Sequence, residues 1–169
     1  MPPIRDDDPL FEPLPPLEPA DDGGLPAHEQ LEYLELVAAA LATEAQLLAT
    51  GEVDHELLRQ THDGIAFDKV AARVEELAAH GVIERLPDLR YTSIHVRHAG
   101  GSHYAIVRSC FEPGPRTGLY DADTREMVAP MGESSFGDER MVWRVPEQGS
   151  EEASLRVMDV QGVPPDDCD

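Results

Sequence analysis

The sequence predicts an α+β protein with helices in its first half and an antiparallel β region in its second half. Within residues 28–81, apolar side chains recur at helical spacings of three and four. From residue 90 onward the apolar residues alternate with polar ones, in short runs separated by turn residues. Because the two periodicities occupy successive halves of the chain, they favour a helical region followed by a sheet over repeated β-α-β units.

Three helices are predicted. The first covers residues 28–49 and is rich in alanine, leucine and glutamate, which are good helix formers. The second follows Asp54, whose side chain suits the N-cap position. The third covers residues 67–81 and ends at Gly81, which can adopt the left-handed conformation of a helix C-terminus.

The β region opens with the hairpin "HVRHAGGSHYAIVRSC", which contains three histidines and a cysteine. Gly100 and Gly101 suit a two-residue type I′ turn, and such a turn places His98 directly opposite His103. Side chains alternate along a strand, so His95 and Cys110 project from the other face and the four candidate ligands do not converge. We therefore predict no metal site and no cofactor. If a metal were bound at all, His98 and His103 would be the candidate ligands.

Both ends of the chain read as tails. Residues 1–27 are acidic and proline-rich, which predicts a disordered arm, and residues 161–169 form an acidic tail. Between them we predict a helical module over residues 28–97 and an antiparallel β region over residues 98–160. The sequence contains no apolar run of transmembrane length and no secretory signal, so we predict a cytoplasmic protein without a membrane partner.

Cysteine usage points to the same compartment. The two cysteines are Cys110, in the β region, and Cys168, one residue from the end of a polar tail. We therefore expect no structural disulfide, as is usual in a reducing cytoplasm.

The formal net charge of −21 has two interpretations. Acid-rich and lysine-poor surfaces stay hydrated in salty cytoplasm, and Lys69 is the single lysine of a chain whose composition looks halophile-like. Alternatively, the acidic surface captures a basic protein partner or imitates nucleic acid.

Residues 41–97 resemble a winged helix-turn-helix domain. The resemblance lies in "LLATGEVDHELLRQTHDGIAFDKVAARVEELAAHGVIER", in which a short helix with paired leucines is followed by a tight turn, a longer helix and an extended segment that looks like the first wing strand. Six apolar residues are expected to close the three-helix core: Leu57, Leu58, Ile65, Val70, Val74 and Leu77.

The resemblance implies DNA binding through the third helix, which lies in the major groove in DNA-binding members of the family. Lys69 and Arg73 would then face DNA, and Arg85, Arg90 and Arg97 would add a patch near the wing. Residues 51–90 hold five basic residues against nine acidic ones, which opposes contact with phosphates. The alternative is a winged helix used for protein contact or homodimerisation.

An enzymatic interpretation is third. "GGSHYAIVR" followed by "LYDADT" looks faintly like the histidine and aspartate half of papain-like cysteine peptidases, with His103 and Asp121 in those roles. In that family the nucleophilic cysteine precedes the histidine, whereas here no cysteine precedes Cys110. The resemblance therefore implies at most an inactive relative, and "DADTRE" is better explained as a hairpin turn.

Taken together, these features predict a non-enzymatic regulatory protein, and the winged-helix resemblance implies a DNA-binding transcriptional regulator. The alternative is an acidic adaptor or inhibitor, of the immunity or DNA-mimic kind, that binds a basic protein partner.

Overall fold

The computed structural model describes residues 3–10, 19, 25–98, 104–146, 149 and 153–168. Three helices come first: α1 (Ala27–Thr50), α2 (His55–Arg59) and α3 (Gly64–Ala79). Seven strands follow, namely β1 (Val82–Arg85), β2 (Arg90–His98), β3 (Tyr104–Glu112), β4 (Gly118–Asp121), β5 (Met127–Pro130), β6 (Phe136–Pro146) and β7 (Ala153–Val163). A short 3₁₀ helix, Pro165–Cys168, follows β7. The α+β class predicted from the sequence is confirmed.

The strands form two antiparallel sheets. The larger has the order β2-β3-β6-β7 and the smaller has the order β1-β4-β5. Helix α1 packs on the larger sheet, and their shared core includes Val37, Val107, Val142 and Val157, each with no exposed surface. Since this core joins α1 to β2, β3, β6 and β7, the predicted boundary at residues 97 and 98 lies at the end of a strand within one packed unit.

Helix boundaries follow local chemistry. Asp54 caps α2 as predicted, its side chain accepting a hydrogen bond from the Leu57 amide, and Gly81 has the predicted left-handed φ of 69°. Helix α3 begins three residues earlier than predicted, because Asp63 caps it and accepts a hydrogen bond from the Gly64 amide. Ile65, which was predicted to close the core, is instead 58% exposed in this first turn.

The β2–β3 hairpin has a different register from the predicted one. Val96 pairs with Val107 and His98 pairs with Ala105, whereas the predicted turn would pair Val96 with Ala105 and His98 with His103. His98 is therefore not directly opposite His103, which corrects the prediction. His103 and the Gly100–Gly101 turn lie outside the described residues.

Part of the predicted N-terminal arm is ordered. Ile4 is buried with Ile83 and Tyr120 against the smaller sheet, and its amide donates to the carbonyl of Arg125 at 3.0 Å. The segment 3–10 thus covers one face of this sheet, because its isoleucine gains apolar contacts there.

The C-terminal residues are held by a disulfide. Cys110 on β3 is bonded to Cys168, across a sequence separation of 58 residues. Gly137 on β6 lies beneath the bond, and a Cβ there would be only 2.6 Å from the Cys168 Sγ atom. The expectation of no structural disulfide is therefore wrong, because strand pairing brings the tail back over β3. No helix in the described part of the chain is long and apolar enough to cross a membrane.

Candidate functional site

A chain of polar side chains runs through the protein between the helices and the larger sheet. The Thr61 hydroxyl lies 2.8 Å from Nδ1 of His62, and Nε2 of His62 lies 2.7 Å from Oε1 of Glu44. The other Glu44 oxygen accepts a hydrogen bond of 2.7 Å from Arg140, which also forms an ion pair with Asp138. We call these five residues the buried network.

Each member is positioned by regular structure. Glu44 lies on the sheet-facing side of α1, and Asp138 and Arg140 lie two residues apart on β6, so their side chains share one face. His62 follows α2 and forms an isolated bridge to Val157 on β7. His62 and Arg140 are 1% and 2% exposed and are therefore shielded from water, whereas Glu44 and Asp138 are partly buried.

The network holds its charges through mutual attraction. Burial alone would raise the pKa of Glu44, but the charge of Arg140 and the hydrogen bond with His62 outweigh this effect and lower the pKa to about 2. Asp138 behaves differently, since burial raises its pKa more than Arg140 lowers it. Glu44 is thus ionised at neutral pH, whereas burial disfavours the charged form of Asp138.

A cavity of about 130 Å³ adjoins one end of the network. Its polar wall contains Glu44, Glu84, Tyr91, Asp138 and Arg140. The remainder of the wall consists of Leu41, Ala45, Leu48, Leu86, Leu89, Phe111, Met131 and Phe136.

Several polar groups around the cavity are incompletely satisfied. The Nε atom of Arg140 is buried without a hydrogen-bond partner among the described residues. No described residue hydrogen-bonds to the Tyr91 hydroxyl, and burial raises the pKa of that phenol. Burial likewise raises the pKa of Glu84, although Arg73 lies 3.6 Å from it and opposes the shift. A polar ligand in the cavity would satisfy groups that the protein itself leaves unpaired.

A larger cleft, of about 610 Å³, lies at the other end of the network. His62 forms part of its wall, together with residues of α2, α3, β6 and β7: Arg59, Asp63, Gly64, Phe67, Asp68, Val145, Pro146 and Arg156. Both ring nitrogens of His62 are engaged by Thr61 and Glu44, so the imidazole separates the cleft from the network.

The structure places the α3 residues of the predicted DNA surface beside acids. The Lys69 ammonium lies 2.6 Å from Asp159, and the Arg73 guanidinium lies 3.6 Å from Glu84. Lys69 and Arg73 are brought together along a groove of about 210 Å³ that also contains Glu44. Their charges are thus compensated within the protein.

The other three residues of that surface are not gathered with them into one groove. Arg85 is only 4% exposed and donates to a main-chain oxygen of the N-terminal segment. Arg90 forms an ion pair with Glu112, and Arg97 lies 3.7 Å from Glu139. Strand β1, the predicted first wing strand, pairs with β4.

The remaining sequence candidates lie at hairpin ends. His98 is exposed at the end of β2, and its predicted partner His103 is outside the described residues. Asp121 accepts hydrogen bonds from the amides of Asp123 and Thr124, which makes "DADTRE" the predicted hairpin turn between β4 and β5. No cluster of potential metal ligands occurs among the described residues.

Sequence reasoning missed the buried network, although two signals were present. Glu44 lies three residues after Leu41 and four before Leu48, within the apolar face of the first helix. Arg140 is separated by one residue from Val142, so strand alternation places a guanidinium on the core face. A charge on a buried face is costly unless it is paired, and it therefore predicts a partner.

Comparison with known proteins identifies a fold but no family. The intermembrane space region of the chloroplast protein ARC6 superposes with a TM-score of 0.57 at 15% sequence identity, over 82% of this chain and 97% of that chain. The two chains share a fold. No protein-family model matches the sequence, and no curated protein matches it. The winged-helix resemblance stays a prediction.

Proposed function

We propose that this protein binds a small molecule, and that the cavity beside Glu44 accepts a compact organic cation such as a protonated amine. The observation behind the proposal is the charge of the cavity wall. Three carboxylates, those of Glu44, Glu84 and Asp138, line the wall with one guanidinium, that of Arg140, and Arg73 lies 3.6 Å from Glu84 outside the wall. Because buried carboxylates are costly without compensation, a positive charge in this space would be stabilised by its surroundings.

The carboxylates differ in their availability to a ligand. Both oxygens of Glu44 are engaged, by His62 and Arg140. Asp138 and Glu84 have raised pKa values, since each is buried with incomplete compensation. They are therefore the groups whose ionised form a bound cation would favour, and the Tyr91 hydroxyl is available as a further hydrogen-bonding group.

Size and the apolar lining limit the rest of the ligand. An apolar cavity of about 150 Å³ is known to accommodate a benzene ring. A space of about 130 Å³ therefore fits a slightly smaller molecule, with its ammonium group against the carboxylates and its hydrocarbon part against Leu48, Leu86 and Met131.

Titration of the full chain with pyrrolidine tests the proposal, with tetrahydrofuran as a neutral ligand of the same shape. We expect chemical-shift changes in α1 and β6 with pyrrolidine and much weaker changes with tetrahydrofuran. Calorimetry in buffers of different ionisation enthalpy, at a pH within the titration range of Asp138 and Glu84, should show proton release on pyrrolidine binding, since the cation lowers their pKa values. Equal responses to both molecules would contradict the proposal.

Conservative variants locate the site. Asp138→Asn and Glu84→Gln should each weaken pyrrolidine binding about tenfold, the loss expected for one charge-assisted contact. Glu75→Gln removes a carboxylate from the exposed face of α3 and should leave binding unchanged. Loss of binding in Glu75→Gln to the same extent would show a general charge effect and would overturn the assignment.

The roles predicted from the sequence remain predictions. DNA binding is tested by fluorescence anisotropy on DNA from upstream of the gene, with Lys69→Gln plus Arg73→Gln as the variant and random DNA as the control. The compensation of both charges by Asp159 and Glu84 opposes that role.

The −21 net charge favours the alternative, capture of a basic protein. A cytoplasmic location is also still a prediction, and the Cys110–Cys168 disulfide opposes it.

A further inference from the structure

Most basic side chains of this acidic protein are neutralised by its own carboxylates. Among the described residues, ion pairs are formed by Lys69, Arg73, Arg90, Arg97, Arg108, Arg116, Arg125, Arg140 and Arg144. In the described part of the chain, four arginines form no ion pair with a carboxylate: Arg5, the buried Arg85, Arg59 and Arg156. The last two differ from Arg5 and Arg85 in lying together. Both line the cleft beside His62.

The two guanidinium groups are held in place by contacts that leave their charge uncompensated. The Nε atom of Arg156 donates to the carbonyl of Arg59 at 2.9 Å, and its Nη1 donates to the carbonyl of Leu155 at 2.9 Å. The Arg59 guanidinium lies over the Phe67 ring, 5.3 Å from its centroid. One edge of Arg156 and the guanidinium of Arg59 therefore remain available, in orientations that are already fixed.

We infer that this cleft is a second ligand site, which binds the anionic group of a small molecule, either a phosphate or a carboxylate. Guanidinium groups bind both anions through paired, charge-assisted hydrogen bonds. A volume of about 610 Å³ has room for an organic substituent as well as the anion. The inference is independent of the proposed cation cavity, because His62 and the network lie between the two spaces.

The cleft also contains two acidic residues, and their positions limit which part of it can bind an anion. Asp63 is engaged in capping α3, where its carboxylate accepts from the Gly64 amide at 2.7 Å. Asp68 lies one turn further along α3 and is exposed, so water screens its charge. We therefore place the anion on the side of the cleft formed by Arg59 and Arg156, with the substituent toward Val145 and Pro146.

Binding of phenyl phosphate, benzoate and benzyl alcohol to the full chain tests this inference by NMR titration at low ionic strength. We expect both anions to shift the resonances of α2, Phe67 and Arg156, and neutral benzyl alcohol to have little effect. Raising the salt concentration should weaken binding of both anions. A response to phenyl phosphate alone would assign a phosphate ligand, and a response to benzoate alone would assign a carboxylate.

Three arginine variants decide whether the cleft is the site. Arg59→Gln and Arg156→Gln should each weaken anion binding about tenfold or more. Arg97→Gln, on the exposed surface of β2 and paired with Glu139, is the matched control and should bind as the wild type does. Since Arg59 is exposed, Arg59→Gln serves as the test even if Arg156→Gln folds poorly. Equal binding by Arg59→Gln and wild type, or a benzyl alcohol response equal to the anions, would overturn the inference. Pyrrolidine binding by these variants reports separately on the cavity.

Discussion

The cavity and the cleft lie on opposite sides of His62 and differ in how their arginine side chains are compensated. In the cavity wall the guanidinium of Arg140 is buried and bound by Glu44 and Asp138, whereas in the cleft Arg59 and Arg156 contact carbonyls and a ring. A buried charge that loses its partner has no water to hydrate it, and the folded state is strongly destabilised. An exposed charge is hydrated when its contacts are lost, so the effect on stability is small. Substitutions at the two sites should therefore have very different effects on stability.

This contrast also separates structural from binding effects in experiments. A variant of the network changes the folding free energy together with the cavity, so its binding data need a stability control. A variant of Arg59 changes the charge of the cleft while the core stays intact.

The largest expected effect is at Arg140. Arg140→Met removes the cation that Glu44 and Asp138 share and leaves two buried carboxylates facing each other. Breaking a buried pair in this way typically costs about 3 to 5 kcal/mol. Urea unfolding at pH 7 measures the loss. The matched control is Arg144→Met, since Arg144 lies on the same strand in an exposed pair with Glu32. Exposed pairs contribute about 0 to 1 kcal/mol, and equal losses in the two variants would remove the distinction between buried and exposed charge.

The disulfide should contribute the next largest amount. Reduction of the Cys110–Cys168 bond, or the substitution Cys168→Ser, releases a constraint on a loop of 58 residues and should cost about 2 to 4 kcal/mol. Urea unfolding with and without reductant measures the change. The 3₁₀ helix Pro165–Cys168 packs on β6 beside Gly137, whereas the cleft is lined by Val145 and Pro146 at the other end of that strand. Binding of phenyl phosphate should therefore persist after reduction at a temperature where the protein remains folded. Loss of binding there would show that the two ends of the sheet are coupled.

Acid should weaken the protein through Glu44. Its folded pKa of about 2 lies below the unfolded value of 4.5, so its contribution is complete above about pH 5 and declines as the pH falls toward 2. The expected loss between pH 5 and pH 3 is about 2 kcal/mol. Asp138 and Glu84 act in the opposite direction, because their raised pKa values make protonation stabilising as the pH falls.

A carbon-13 titration of the glutamate side chains separates these contributions. The Glu44 carboxyl should remain ionised to about pH 2. A Glu44 midpoint near 4.5 would show that Arg140 and His62 do not stabilise its charge, and would contradict the network as described.

The sequence was informative wherever structure depends on local pattern. Helix α1, the N-cap at Asp54 and the left-handed Gly81 follow from propensity and capping, which act over a few residues. The strands were located by alternation for the same reason. The hairpin register was wrong by two residues, because the glycine pair suited a tight turn at Gly100 and Gly101, whereas the sheet pairs Val96 with Val107 and His98 with Ala105.

Contacts between distant residues were not predictable from one sequence. The Cys110–Cys168 bond, the burial of Ile4 and the pairing of Glu44 with Arg140 across 96 positions all depend on tertiary packing. The site was missed for that reason, although Glu44 and Arg140 each lie on a predicted apolar face. In both cases the charged residue itself was the signal, and only its partner required the structure.

The smallest expected change in stability is at Arg59. Its substitution directly compares an exposed arginine of the cleft with the buried Arg140 of the cavity wall. Arg59→Gln loses the contact with Phe67, and an exposed cation–π contact contributes about 0.5 to 1 kcal/mol. Arg59→Lys keeps the positive charge but loses the planar group, so it should restore part of the anion affinity without restoring the paired hydrogen bonds. Urea unfolding and phenyl phosphate titration of the same samples give both quantities. A loss above about 2 kcal/mol in Arg59→Gln would mean that the guanidinium supports the fold, as Arg140 does, and the cleft would then resemble the cavity in the use of its charges.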